Sequence, residues 1–185
     1  MSTLKVDTIL KRTGTGTITV GQSGDTISVP TGATLSVSGS ASGSVANGPF
    51  FRAHLSSNQS IADSTRTLIL FNVKDFDATT AYDTSNGRFT PQTSGYYYIS
   101  AQLKTDTATN FEGVKLYLRK NGTELVETSA FNDGYNSTFA ATIIQLNGST
   151  DYVDVAGNQN SGGAINLNGD SDGKKNFFAA FKLTG

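Results

Sequence analysis

Apolar and polar residues alternate one by one along much of this chain, the pattern of a strand with one buried face. In residues 95–103 the pattern is cleanest. Tyr97, Ile99, Ala101 and Leu103 share one face, and Tyr96, Tyr98, Ser100 and Gln102 share the other. Further apolar or alternating runs fall at Phe50–Leu55, Thr67–Val73, Val114–Leu118, Thr138–Leu146, Tyr152–Val155 and Phe177–Leu183. Turn dipeptides separate many of them: Asn86-Gly87, Asn121-Gly122, Asp133-Gly134, Asn147-Gly148, Asn168-Gly169 and Asp172-Gly173. Such pairs supply the positive φ that tight hairpins need. No segment keeps an amphipathic helical period for three turns. The pattern predicts an all-β sandwich or barrel.

The first 49 residues follow a different rule. They hold no aromatic residue, and between Arg12 and Arg52 the only charge is Asp25. Without large side chains this zone cannot close a core. It is still patterned: Thr17–Val20, Thr26–Val29 and Thr34–Val37 each alternate, with Gly21, Gly24, Gly32 and Gly39 between and around them. One reading is a β-repeat stalk whose tiny strands pair with copies from other chains. The other is a flexible Gly/Ser linker, which residues 38–44 resemble in composition. The glycines keep no period of three, so the zone is not collagen.

Composition sharpens the picture. Of 185 residues, 36% are hydrophobic and 16% charged, and a third are Gly, Ser or Thr. There is no Cys, which excludes disulfides and thiolate metal sites, and one His, which excludes a multi-histidine metal site within one chain. The formal net charge is −1, so the chain carries no electrostatic footprint for nucleic acid. No window approaches a membrane span, and residues 1–12 lack a signal peptide's apolar run, so neither membrane insertion nor cleavable-signal export is expected.

Residues 86–99, with Phe89, Pro91, Gly95, Tyr97 and Ile99, resemble the central signature of the complement component 1q globular head: Gly-x-Phe, a Pro, then Gly before an aromatic strand. Phe71–Phe76 and Tyr82-Asp83 match the run leading into it. Val114–Gly122 resembles the family's strand ending in a Lys-Asn-Gly turn. Ile143–Val155 resembles its Leu, turn, Asp, Val-x-Val segment, and Phe177–Leu183 its closing Phe-x-x-Phe strand. The resemblance implies a ten-stranded jelly roll, related in fold to tumour necrosis factor, that assembles as a homotrimer. Leu4–Ile9, Gly14, Gly16 and the Ile-x-Val repeats resemble the start of marine bacteriophage fibre proteins. Together the resemblances imply a virion-anchoring segment at 1–12, a stalk and hinge at 13–48, and a jelly-roll head at 49–185. The outward Tyr96 and Tyr98 are too much aromatic area to leave wet, so a trimer interface is assigned to them.

Catalytic chemistry finds little support. His54, opposite Phe51, Ala53 and Leu55 in the alternation, reads as a surface or interface histidine. The pairs Asp75/Asp77, Asp151/Asp154 and Asp170/Asp172 carry no spacing that demands a glycosidase dyad and suit turn caps. Asn168, Asp170, Asp172 and Gly173 fit part of a calcium loop, but the twelfth position is Ala179, not Glu, so an EF-hand is excluded. No catalytic residue, metal site or cofactor is assigned.

The expectation is a non-enzymatic bacteriophage structural protein, made in the host cytoplasm and resident in the virion. Its partners would be itself, capsid or tail proteins through residues 1–48, and a host-surface glycan or protein at the head. The loops Asp106–Glu112, Phe131–Asn136 and Asn158–Asp172 are candidates for that contact, with Phe111, Phe131 and Tyr135 as binding residues. The competing readings are a capsid decoration or stabilising protein, a bacterial surface adhesion lectin, and a glycan hydrolase.

Overall fold

A computed structural model describes residues 19–22, 25–34, 48–105, 113–129 and 137–184. The chain divides into two compact units, residues 1–41 and 42–185.

In the first unit the described residues form turns. The Ala33 amide donates to the Pro30 carbonyl at 3.0 Å, with Gly32 at φ 88°. The Gln22 amide donates to Asp25 Oδ2 at 2.6 Å. Val20, Ile27 and Val29 are exposed. Thr26–Val29, expected as a stalk strand, is unpaired here. With two apolar side chains per repeat, the segment joins no ladder among the described residues. Most of Thr17–Val20 and Thr34–Val37, and all of residues 1–12, lie outside the described residues.

The second unit contains thirteen strands among the described residues, where ten were expected. They are β1 (Phe50–His54), β2 (Gln59–Ile61), β3 (Thr67–Leu68), β4 (Val73–Asp77), β5 (Tyr82–Asp83), β6 (Arg88–Phe89), β7 (Gly95–Lys104), β8 (Lys115–Lys120), β9 (Thr123–Ser129), β10 (Ser137–Leu146), β11 (Val153–Asn158), β12 (Ile165–Leu167) and β13 (Phe177–Thr184). The excess is in short pieces: β2, β3, β5, β6 and β12 have only two or three residues each, where bends break longer alternating runs.

One sheet has the order β10-β7-β13-β1-β4. A second runs β5-β6-β11-β8-β9, with β3 also on β11, and β12 pairs with β2. The register gives the sandwich two poles. Phe50, Gly95, Leu146 and Lys182 stand at one end of the five-stranded sheet, and His54, Lys104, Ser137 and Phe177 at the other. Chain entry into β1 is therefore at the pole opposite His54.

The alternation in β7 sends Tyr97, Ile99, Ala101 and Leu103 inward, as expected, onto Leu116 and Leu118 of β8 and Val153 and Val155 of β11. An aromatic cluster anchors this core. The Phe51 ring stacks on Tyr82 and Phe89, both at 4.7 Å, and meets Phe178 edge-on at 4.9 Å. The buried Tyr82 hydroxyl donates to the Phe71 carbonyl at 3.1 Å, so its polar atom is satisfied.

The outer face of the second sheet is charged, with Asp154 buried at the centre of the row beneath its neighbours' side chains. Asp83 pairs across the ladder with Arg88, and Arg119 faces Asp154 on one side and Glu124 on the other. Arg88 falls beside Asp154, one step beyond the Phe89–Val153 pair. Charges thus alternate in sign across five strands, the favourable cross-strand arrangement. Arg119 Nε donates to Asp154 Oδ1 at 2.7 Å. Arg66 and Arg88 each lie 4.0 Å over a tyrosine ring, Tyr117 and Tyr152.

Phe51→Ala should lower stability by about 3–5 kcal/mol, because three ring contacts are lost and a cavity remains. Chemical denaturation of the variant measures it. A change below 1 kcal/mol would place the core elsewhere.

Candidate functional site

The residues on the outer face of the five-stranded sheet follow from parity. Phe139, Ala141 and Ile143 point outward from β10, Tyr96 and Tyr98 from β7, Phe177, Ala179 and Phe181 from β13, and Phe50 from β1. Cross-strand register sets Ile143, Tyr98, Phe181 and Phe50 in one row. The next two rows are Ala141, Ser100, Ala179 and Arg52, then Phe139, Gln102, Phe177 and His54. Ile143 is 60% exposed, Phe139 51% and Tyr96 50%, with Phe181, Leu183 and Phe76 also exposed. Tyr98 and Phe181 touch at 5.2 Å, and Phe50 and Phe76 at 5.7 Å. One face of the sandwich is thus a continuous aromatic and aliphatic surface, while the opposite face is a charge ladder.

At the far edge of this surface sits a polar cluster. The register between β1 and β4 shifts between Arg52 and Ala53, which leaves Asp75 as an extra, bulged residue. The bulge turns its carboxylate onto the outer face. There Asp75 meets the Arg52 guanidinium, and its Oδ1 lies 2.8 Å from His54 Nδ1 in an approach that lacks hydrogen-bond geometry. Arg52 also donates to the Gly173 carbonyl and stacks over Phe177 at 5.0 Å. His54 has the expected outward parity yet is buried, because the turn at 170–175 roofs it. A Cβ on Gly173 would stand 2.9 Å from the imidazole Cγ, so only glycine lets the roof come this close.

Asp170 builds that roof. Its carboxylate accepts the amides of Asp172 and Lys174 at 3.0 Å and of Lys175 at 2.9 Å. Partial burial works against its charge, but these backbone donors hold its pKa below the ordinary value. Asp172 pairs with Lys174 at 2.6 Å. The calcium-like string therefore spends its carboxylates on its own turn. The other acidic pairs are engaged too. Asp77 accepts the Ala81 and Tyr82 amides, Asp151 pairs with Lys120, and Asp154 pairs with Arg119.

The structure thus places Tyr96 and Tyr98 on a large apolar face. Phe111, Phe131 and Tyr135 lie outside the described residues. Sequence reasoning missed Phe76, Phe139, Ile143, Phe181 and Leu183. Their signal was present but ambiguous, since Ile143-Ile144 and Phe177-Phe178 put apolar side chains on both faces.

A sequence model of the C1q domain matches residues 50–179. The chain belongs to the C1q domain family. Several solved structures share the fold. The globular domain of zebrafish complement 1qA is 19% identical, covering 74% of this chain and 98% of that one, at a TM-score of 0.50. Murine APRIL is 15% identical, covering 73% and 98%, at 0.55. The PRD1 vertex protein P5 is 16% identical, covering 75% and 73%, at 0.52. No curated protein sequence matches this C1q chain. C1q-like and tumour-necrosis-factor-like domains are non-enzymatic and typically form homotrimers.

Replacing Asp170 with Asn should loosen the roof over His54 and lower the melting temperature at neutral pH. The depressed carboxylate stabilises the fold above the ordinary pKa of 3.8, and that contribution is lost as pH falls below it. Melting curves of Asp170→Asn and the native chain should therefore differ at pH 7 and converge in acid. Equal melting at pH 7 would contradict the role assigned to the carboxylate.

Proposed function

We propose that this chain is a non-enzymatic bacteriophage virion protein, a homotrimeric fibre or knob anchored through residues 1–48, whose C1q head faces outward for host attachment. The observation that carries the reading is the apolar outer face of the β10-β7-β13-β1-β4 sheet. A monomer would leave Ile143, Tyr98, Phe181, Phe139 and Tyr96 in contact with water. Two further copies of the same chain are the partner, because the family typically trimerises. Burial at about 25 cal/mol per Å² makes such a face strongly favourable to cover.

The viral role rests on further features. The front quarter exposes Val20, Ile27 and Val29 and has no aromatic residue with which to build a core of its own. That suits a segment ordered by copies or by a particle. A vertex protein of a phage has a similar fold. Chain entry into β1 and the His54 pole lie at opposite ends of the head's five-stranded sheet.

Tyr98→Asp and Phe181→Asp should each convert a trimer of three 19.4 kDa chains into monomers, since three unpaired charges would be buried around one axis. Sedimentation equilibrium reads the mass, and an unchanged trimer would mean the wrong face was chosen. Deletion of residues 1–48 should leave a trimeric head that no longer joins the particle. Incorporation of the truncated chain into virions would refute the anchor.

A further inference from the structure

The His54 pole carries a cleft of about 280 Å³ lined by Leu55, Ser57, Asn58, Gln59, Leu70 and Asn72. The segment after β1, the segment between β3 and β4, and the turn at 168–170 meet there. Gly169 makes the meeting possible: a Cβ at that position would fall 2.2 Å from the Ser57 carbonyl carbon. The Asp170 amide donates to the Leu55 carbonyl at 2.9 Å, tying the same two segments.

Hydrogen bonds brace the walls. Gln59 uses both ends of its amide on the chain from β3 toward β4, donating to the Leu68 carbonyl at 2.7 Å and accepting the Leu70 amide at 2.9 Å. The Ser56 amide donates to Asn72 Oδ1 at 3.0 Å, and Asn72 Nδ2 donates to Ser56 Oγ at 2.8 Å. The Gly169 amide donates to Asn58 Oδ1 at 2.8 Å. That bond also fixes which end of the Asn58 amide is which, because a backbone N–H needs an acceptor. Among the described residues, Asn58 Nδ2 and Ser57 Oγ then have no hydrogen-bond partner. Leu70 supplies exposed apolar surface above the buried Leu55, and among the described residues no charged side chain lines the cleft.

Braced walls, neutral hydrogen-bonding groups free of protein partners and an exposed leucine, with no charged side chain among the described lining residues, are the composition of a small-ligand site. Among the described lining residues a charged ligand would meet no counter-ion. A sugar ring presents hydroxyls at its rim and C–H groups on its face, and matches both halves of the lining. We propose that this cleft binds one neutral sugar residue. The Asn58 amide and Ser57 hydroxyl would bond its hydroxyls, and the Leu70 side chain would cover its C–H face. This rests on the host-attachment reading and gives it a ligand class.

The test uses the full-length chain with methyl-labelled leucines. The methyl glycosides of glucose, galactose and mannose, and N-acetylglucosamine, are titrated to millimolar concentration, with sialic acid as the anionic comparison. At least one neutral sugar should shift the Leu55 and Leu70 methyl signals. Asn58→Asp keeps the acceptor for the Gly169 amide but removes the donor, and should weaken binding about tenfold or more with the mass and melting temperature unchanged. Leu70→Ser should weaken it as well. No methyl shift with any neutral sugar, a shift with sialic acid alone, or undiminished binding by both variants would overturn the site. Adsorption of particles separates this from the reading beneath it. If Asn58→Asp abolishes sugar binding but its virions adsorb normally, the site stands and host attachment through the head falls. If no sugar binds yet purified chain still blocks adsorption, the site falls and host attachment stands.

Discussion

Ile143, Tyr98, Phe181 and Phe50 stand side by side on the outside of a sheet whose inside already fills the core. That doubling of apolar faces is the constraint from which the rest follows. A two-layer sandwich needs one apolar face per sheet. The second sheet obeys, with leucines and valines inward and the Asp83–Arg88–Asp154–Arg119–Glu124 row outward. The first sheet has apolar residues on both sides, so the fold of one chain is complete while its surface is not. A second apolar face left in water would invite unspecific association. The proposed threefold assembly would close it within a finite oligomer.

The polar features around that face are consistent with its being covered. The bulge at Asp75 delivers a carboxylate to Arg52, beside His54, so the Arg52 cation at the border of the surface is neutralised within the chain. The 170–175 turn, held by Asp170, lies over them. Border charges are thereby locally paired, and the centre of the face is left to rings and methyl groups. The neighbouring Gly169 and Asp170 also brace Ser57 and Leu55, so the apolar sheet face and the polar cleft share one structural support.

The strands and their inner face were legible in the residues where alternation is strict. β7 is the clearest case: Tyr97, Ile99, Ala101 and Leu103 could be assigned inward, and Tyr96 and Tyr98 outward, from parity alone. Elsewhere parity failed for identifiable reasons. β10 and β13 contain Ile143-Ile144 and Phe177-Phe178, so neither face could be preferred until pairing was known. Thr67–Val73 reads as one strand but is broken between Leu68 and Val73, where Gln59 clamps the chain. β9 escaped notice because Thr123–Ser129 is an edge strand with most side chains exposed, and edge strands carry little burial signal. The burial of His54 depends on Gly173, far away in the chain. The cleft likewise gathers its walls from three separate segments, a convergence that no local pattern encodes.

Sedimentation equilibrium of the unmodified full-length chain at micromolar concentration tests the central claim most directly. The account predicts a single species of three times 19.4 kDa. A monodisperse species of 19.4 kDa would contradict it, because the apolar sheet face would then be stable in water on its own.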